Sequence, residues 1–442
     1  MPAPTLAASL AQHLTHIRHQ LAQHDLVAMA RQSGFLRRAP RKIPILELVL
    51  ALLALAVESC LSLERVAAVI GLAAGTSYSK QALHKRLTVR IERFLAQVAV
   101  SLFGQLSQAP ELQHWLQPFQ RVLLHDSTTQ ALPERLAAAF PGSSNQRNRR
   151  QAAVKVQLIG DLREGTVQHL SLSSFRRNDQ AAAPDILEVV RPGDLILRDL
   201  GYWVLHVFER LILQGAFFLS RYRHGTTVLD PHTGKPLDLG YLLRTQGRLD
   251  REVWLGETHK LSVRLVAVPV PEAVANERRR HARANRDRRL NPSPQRLFLL
   301  GWNIFVTNVD RNTWPPKAIQ PIYRLRWRVE MIFKAWKSHL GLRDLNTRSE
   351  SLLRLSLMTK LLFCVLVCQL CNQIELLGTD DRHVSLLRLA RICAECACLV
   401  AAAILGIPPQ RWLNHHLEAH AFYERRTDRK NFYEMLAGLT HA

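Results

Sequence analysis

The chain has 442 residues, 47% of them hydrophobic, which is enough to bury a large core and to form two to four structural units. Its 59 lysine and arginine residues outnumber 36 acidic ones, and the resulting net charge of +23 favours a polyanionic partner, nucleic acid first and an anionic membrane surface second. Residues 1–12 lack the pattern of a secretory signal, and the apolar runs Ile45–Val57 and Leu361–Leu370 are too short to cross a bilayer. We therefore expect a cytoplasmic protein without a membrane partner.

The N-terminal region, residues 1–118, is predicted to be helical because glycine is scarce and apolar residues recur every three or four positions. Ser62 is suited to cap a helix over Leu63–Ile70 that ends at Gly71, and Ser79 is suited to cap a second helix. This pattern favours a helix-turn-helix whose second helix enters the DNA major groove, and a plain helical hairpin is the alternative. The candidate DNA-binding residues of the second helix are Lys80, Lys85 and Arg86.

The next region, residues 119–223, changes from helical periodicity to the order strand, strand, strand, helix, strand, helix, strand. This order indicates an α/β (α+β) fold class with a ribonuclease-H-like core, a mixed sheet flanked by helices. Two buried strands are predicted to end at an aspartate, Asp126 in VLLHDSTT and Asp199 in DLILRD. Each carboxylate would then emerge at the edge of the sheet.

Residues 224–316 are predicted to form a β-rich insertion, with strands at Glu252–Trp254, Leu261–Val270 and Leu297–Val306. The insertion contains a basic stretch, Glu277–Leu290, that suits a helix or a disordered arm, and a solvated charged face is the alternative. The core resumes over residues 317–350, and residues 351–442 are predicted to be helical. Two CxxC pairs in that last region are interpreted as core thiols, with a structural zinc site as the alternative.

The stretch Tyr323–Lys337 has an unusual distribution of charge if it is placed on one α-helix. Glu330 and four other polar side chains then fall within about 80° of one another, and the apolar residues largely face away. The four are Tyr323, Arg326, Lys334 and Lys337. A solvated helix with ion pairs four residues apart is one interpretation, and a metal-binding glutamate among phosphate-binding cations is the other.

Asp126, Asp199 and Glu330 are the candidate catalytic and metal-binding residues. Three carboxylates can hold two divalent ions without neutralising them fully, which leaves room for a phosphate. Two ions about 3.5–4 Å apart activate an oxygen nucleophile and stabilise the leaving oxygen of a phosphodiester in one in-line step. Taken alone, Asp126 is also suited to cap a helix that begins at Ser127, and Asp199 is also suited to a turn before Gly201.

The spacing of Tyr323, Arg326, Glu330 and Lys337 resembles the YREK signature of bacterial DDE transposases of the insertion-sequence-four family. The pieces DST, RDLGYW and FLSRYR precede it in family order, and the resemblance covers roughly Arg121–Leu342. It implies that Asp126 bridges two Mg²⁺ ions, with Mn²⁺ as a substitute, while Asp199 and Glu330 bind one each. It also implies a base-stacking role for Trp302, and phosphate contacts from Arg221, Tyr323, Arg326, Lys334 and Lys337.

The resemblance therefore implies a cut-and-paste transposase that cleaves DNA at transposon ends, forms a hairpin intermediate and joins the ends to target DNA. Its partners would be double-stranded DNA, at the terminal inverted repeats and the target, and a second copy of the chain on DNA. By the same resemblance, residues 351–442 would serve dimerisation. It would be cytoplasmic, and nucleoid-associated when bound to DNA. The alternatives are a ribonuclease-H-like nuclease without strand transfer and an inactive, transposase-derived DNA-binding protein.

Overall fold

A single mixed sheet between two helical layers forms the centre of the computed structural model. The structure describes residues 6–37, 43–56, 61–85, 90–101, 113–143, 151–163, 166–284, 291–341, 349–377, 385–409 and 411. The helices that precede the sheet in these ranges are α1 (Leu6–Gln23), α2 (Leu26–Gln32), α3 (Ile45–Ala54), α4 (Leu63–Ala74), α5 (Lys80–His84), α6 (Arg90–Ser101) and α7 (Gln113–Leu116).

The predicted helix pair near the N-terminus is α4 followed by α5. Each helix is capped as expected, because the hydroxyls of Ser62 and Ser79 accept backbone amide hydrogen bonds of 3.2 and 3.3 Å. Lys80 and Lys85 are exposed there, while Arg86 lies outside the described residues. The role of this pair in binding DNA stays a prediction.

The predicted end of the first helix at Gly71 is wrong. Helix α4 continues to Ala74 and ends at Gly75, which has a left-handed φ of 69°. A β-carbon at Gly71 would lie 2.6 Å from the carbonyl oxygen of Thr76. Glycine is needed at position 71 because the chain folds back closely over the helix, not because the helix ends there.

The sheet has nine strands in the order β3-β2-β1-β4-β5-β9-β8-β7-β6. Their bounds are β1 (Val122–Leu132), β2 (Ala152–Asp161), β3 (Val167–Ser174), β4 (Leu195–Arg198), β5 (Phe217–Arg221), β6 (Val228–Leu229), β7 (Leu249–Leu255), β8 (Leu261–Pro269) and β9 (Trp302–Thr307). Strands β1, β4 and β5 pair in parallel, and the other neighbours pair antiparallel. The mixed sheet confirms the predicted α/β fold class.

The segment predicted as an insertion extends this same sheet, because β9 pairs with β5 and continues through β8 and β7 to β6. Its helices, together with those between the earlier strands, are α8 (Asp179–Ala182), α9 (Leu205–Leu213), α10 (Leu239–Gln246), α11 (Glu272–Arg283) and α12 (Pro294–Leu299). The basic stretch is thus helical where it is described. The strand predicted to start at Leu297 begins only at Trp302, because Ser293 caps α12 just before it.

The chain ends in the helices α13 (Pro316–Arg324), α14 (Trp327–Ser338), α15 (Glu350–Leu377), α16 (Leu386–Glu395) and α17 (Ala397–Leu405) within the described ranges. Helix α15 contains a segment, Glu350–Cys371, that is long and apolar enough to cross a membrane, with a mean hydropathy of 1.9. However, 83% of the most apolar part of this segment is buried inside the structure, as in the core helix of a globular fold.

Two hydrophobic cores cover the two faces of the sheet, as the alternation of side chains along each strand requires. Leu124 and Leu219 point into the first core, which includes α13, α14, α15 and the N-terminal helices. Leu123 and Phe218 point into the second core, which is closed by α9, α10 and α12.

Candidate active site

Asp126 and Asp199 lie side by side on the face of the sheet that carries the first core. The aligned pairs that set this register are His125 with Arg198 and Arg198 with Ser220. The residues that follow His125, Arg198 and Ser220 therefore fall in one row, although Asp199 lies just past the end of β4. This cross-strand row consists of Asp126, Asp199 and Arg221. The leucines two residues earlier on these strands all belong to the first core, so the row faces the helices of that layer.

The prediction that the first strand ends at Asp126 is wrong, whereas the strand before Asp199 ends as predicted. Strand β1 continues past Asp126 to Leu132, because its antiparallel pairing with β2 extends that far. Its parallel pairing with β4 stops one residue before Asp126, so the carboxylate still lies at the end of the parallel part. Strand β4 ends at Arg198, and Asp199 caps a short 3-10 helix.

Helix α14, in the layer that covers this face of the sheet, places Glu330 opposite the row. Val329, Phe333 and Trp336 are buried in the first core, as the predicted apolar stripe requires. The opposite side of the helix lines a cavity of about 430 Å³. The lining residues are Asp126, Ser127, Thr128, Asp199, Arg326, Glu330, Phe333, Lys334, Lys337 and Ser338.

The guanidinium of Arg326 contacts all three candidate carboxylates. It donates hydrogen bonds from Nη1 to Asp126 Oδ2 at 3.1 Å and from Nη2 to Glu330 Oε1 at 2.6 Å. Its Nε lies 3.7 Å from Asp199 Oδ1, an ion pair too long for a hydrogen bond. Because a guanidinium is small and planar, this contact shows that the three carboxylates face a common point.

Burial dominates the electrostatics of this cluster. It raises the pKa of Asp126 to about 7, and the neighbouring charges of Asp199 and Glu330 act in the same direction. Burial alone would lower the pKa of Arg326, but Tyr323 and the carboxylates raise it above its ordinary value, so this arginine is a permanent cation. One cation thus faces three acidic groups, and it does not neutralise them completely.

The prediction that Tyr323–Lys337 forms one continuous helix is wrong. The stretch consists of two helices joined at Leu325 and Arg326. The amides of these two residues donate to carbonyls three residues earlier, which tightens the chain into a 3-10 turn between α13 and α14. Tyr323 lies on α13, where its hydroxyl donates to the carbonyl of Arg198 at 3.3 Å. It therefore buttresses the end of β4, directly before Asp199.

The donor set suits a divalent metal, because the side chains supply hard carboxylate oxygens that face one point. As the side chains stand, no three His, Cys, Asp or Glu residues within the described ranges lie close enough to hold one ion. The guanidinium of Arg326 lies between the three carboxylates, so it would have to move before they could share an ion.

A second polar cluster lies behind the cavity, and nothing in the sequence pattern pointed to it. Asp179, at the start of α8, accepts hydrogen bonds from the Ser127 hydroxyl at 2.8 Å and from Lys155 Nζ at 2.9 Å. A β-carbon at Gly201 would lie 2.9 Å from Asp179 Oδ2. This cluster therefore connects the residue after Asp126 with the turn after Asp199.

Other predicted site residues lie away from the cavity. Arg221 is in the row but does not line the cavity. Trp302 is half-buried in β9 on the opposite face of the sheet, where it packs against Phe298 and the second core. Lys80 and Lys85 lie on the N-terminal helices. The DNA contacts expected of these residues stay predictions.

Comparison with known proteins gives a consistent result. Residues 117–367 match the model of a family described as "Transposase DDE domain". The chain is 30% identical over 344 residues to the transposase for insertion sequence element IS231D of Bacillus thuringiensis subsp. finitimus, which covers 72% of this chain and 71% of that one.

Two further relatives have similar names. The transposase for IS231B of Bacillus thuringiensis subsp. berliner is 28% identical over 357 residues, with 75% of this chain and 74% of the relative covered. The transposase for IS1151 of Clostridium perfringens is 27% identical over 286 residues, with 59% of each chain covered.

Proposed function

Since this chain belongs to the DDE transposases of the insertion-sequence-four type, and is therefore a metal-dependent enzyme that acts on DNA, we propose that it performs cut-and-paste transposition with Asp126, Asp199 and Glu330 as its catalytic residues. The observation that carries this proposal is the convergence of these three carboxylates on the guanidinium of Arg326. Two of them lie on or just after neighbouring strands, and the third lies on α14, in the helical layer that faces those strands. They are far apart in the sequence.

The three carboxylates would hold two Mg²⁺ ions, for which Mn²⁺ is a substitute. When bound, such ions lower the pKa of a water or hydroxyl nucleophile and stabilise the leaving oxygen. Arg326 would then exchange its carboxylate partners for a phosphate oxygen, and Lys334 and Lys337 would contact phosphates from the same helix. Tyr323 holds the backbone before Asp199 and so keeps that carboxylate in place.

The DNA substrate would be the terminal inverted repeats of the element, bound by two copies of the chain so that both ends are cut together. A hairpin intermediate at each end would precede joining of the 3′-hydroxyls to target DNA. A flipped base could stack on Trp302, because a tight hairpin leaves one base unstacked. The enzyme would work in the cytoplasm, at the nucleoid.

The deciding experiment compares the wild-type protein with Glu330→Gln. Both are incubated with Mg²⁺, duplexes that carry the terminal repeat read from DNA flanking the gene, and a supercoiled plasmid. We expect the substitution to lower cleavage by about 10³-fold, because losing a metal ligand removes several kcal/mol of transition-state stabilisation, and to leave end binding intact. Glu252→Gln, on the exposed side of β7, is the matched control.

The products separate the alternatives. Plasmid molecules joined to the duplex would support transposition. Cleavage without any joined product would indicate a nuclease, and binding without cleavage by the wild-type protein would indicate an inactive DNA-binding protein. Equal cleavage by wild type and Glu330→Gln would refute the assigned site.

A further inference from the structure

The third residue of the cross-strand row, Arg221, is a half-buried cation that has no counter-ion among the described residues. Its guanidinium makes no hydrogen bond or ion pair with any residue in the described part of the chain. It lies about two strand spacings, or roughly 10 Å, from Asp126 on the same face of the sheet. An arginine in this position keeps its hydrogen-bonding groups available for a ligand.

A second arginine, Arg278 of α11, reaches the same end of the sheet. Its Nη2 donates to Asn303 Oδ1 at 2.9 Å, and its Nη1 lies 3.4 Å from the carbonyl oxygen of Leu300 and 3.5 Å from that of Trp302. Asn303 is on the same face of β9 as Phe305, which lies directly opposite Arg221. The helix of the basic stretch therefore delivers a cation next to the cross-strand row.

Within the ranges that the structure describes, neither arginine is neutralised by an acidic side chain. All contacts of Arg278 are with neutral oxygens, and no described carboxylate pairs with it or with Arg221. Burial lowers the pKa of Arg278, and the charge of Arg221 lowers it further, as expected for two cations that lie close together. Three contacts use only part of the five N–H groups of Arg278, so donors are left for an anion.

The family resemblance already implies that Arg221 contacts a phosphate. We propose that Arg278 of α11 binds the same phosphodiester group of the DNA strand that enters the active site, so that the two arginines hold it together. The geometry points to a phosphate because two guanidinium groups can grip its oxygens from two sides. The proposal rests on the proposed function and deepens it by placing a second phosphate site beyond the carboxylates. It gives the basic helix of the inserted segment a defined role in fixing the position of the strand.

The test measures binding of the full-length protein to duplexes that carry the terminal repeat, each with one neutral methylphosphonate in place of a phosphate. Arg221→Gln and Arg278→Gln should each weaken binding to the unmodified duplex roughly ten-fold, as expected for loss of a charged hydrogen bond. At one methylphosphonate position, the wild-type protein should lose the same affinity, and neither substitution should lower it further.

Arg280→Gln is the matched control, since Arg280 is exposed on the same helix. Its ion pair with Glu277 is long, at 4.0 Å, and exposed to solvent, so its loss should matter little. It should bind within about two-fold of wild type. Arg278→Lys, which keeps the charge but loses the planar fork, should fall between wild type and Arg278→Gln. If Arg278→Gln does not fold, the lysine variant and the methylphosphonate scan with Arg221→Gln still test whether the two arginines bind the same phosphate.

Two results would overturn the inference: unchanged affinity in Arg278→Gln, or two substitutions that are sensitive to different phosphates. Failure of the proposed function looks different. In that case the wild-type protein itself would not cleave the duplex, or Glu330→Gln would cleave it equally well.

Discussion

At the scale of single residues, chemistry could be predicted from the sequence but contacts could not. Glu330 was predicted from the spacing of the YREK signature, and Asp126 and Asp199 from buried strands that lead to an aspartate. Their catalytic role stays a prediction. Asp179 was not found, because its contacts with Ser127 and Lys155 join positions far apart in the chain, and no periodicity marks them. The contact of Arg326 with all three carboxylates also depends on tertiary packing.

The cluster around Asp179 predicts a specific effect of Gly201→Ala. The added methyl group would lie 2.9 Å from Asp179 Oδ2. The other oxygen of that carboxylate, Oδ1, accepts two hydrogen bonds that hold the side chain in place, so the neighbours of Asp126 and Asp199 must shift. Since a displacement of about 1 Å at a reacting centre costs up to roughly 100-fold, we expect cleavage to fall 10- to 100-fold with little change in end binding.

The control for this prediction is Gly160→Ala, where the new β-carbon would meet only an ordinary contact at 3.7 Å from Thr166. In an Asp179→Ala background, Gly201→Ala should cost much less, because the contact with Oδ2 is gone and only the contact of 3.2 Å with the β-carbon of residue 179 remains. A full additional loss in that background would show that the effect of Gly201 does not pass through Asp179.

At the scale of elements, helix caps and the existence of most strands were predicted well, and the ends of helices and strands poorly. Hydroxyl caps at Ser62 and Ser79 follow local rules and are confirmed. The end of α4 was misplaced because glycine marks both helix ends and close approaches, and only the folded structure separates these uses. The helix break at Arg326 was missed because the local sequence there lacks glycine and proline.

The close approach at Gly71 predicts that Gly71→Ala destabilises the helix pair α4 and α5. A methyl group 2.6 Å from the Thr76 carbonyl oxygen forces the backbone to shift, which typically costs about 1–3 kcal/mol of unfolding free energy. Urea unfolding measures this loss. Gly75→Asn should be nearly neutral, since the site is open and asparagine tolerates a left-handed φ. A larger effect at Gly75 would contradict this assignment.

At the scale of the whole molecule, composition predicted the polyanionic partner, and element order predicted the mixed sheet. The sequence did not reveal that the inserted strands would join the core sheet, because the pairing of β5 with β9 links residues about ninety positions apart. Long-range strand pairing of this kind leaves no local pattern in the chain.

The net charge of +23 predicts that DNA binding weakens steeply with salt. Phosphate contacts release counter-ions, so six such contacts would lower the affinity by about 10³-fold between 50 and 200 mM salt. Binding titrations over this range give the slope directly. An affinity that is flat across the range would mean that the positive surface does not follow the DNA backbone.

The continuity of the nine strands limits how the parts of the chain can move. The strands of the core and those of the inserted segment share one hydrogen-bonded ladder through β5 and β9, so the two parts cannot turn against each other without breaking those bonds. We therefore expect them to take up a substrate as one unit.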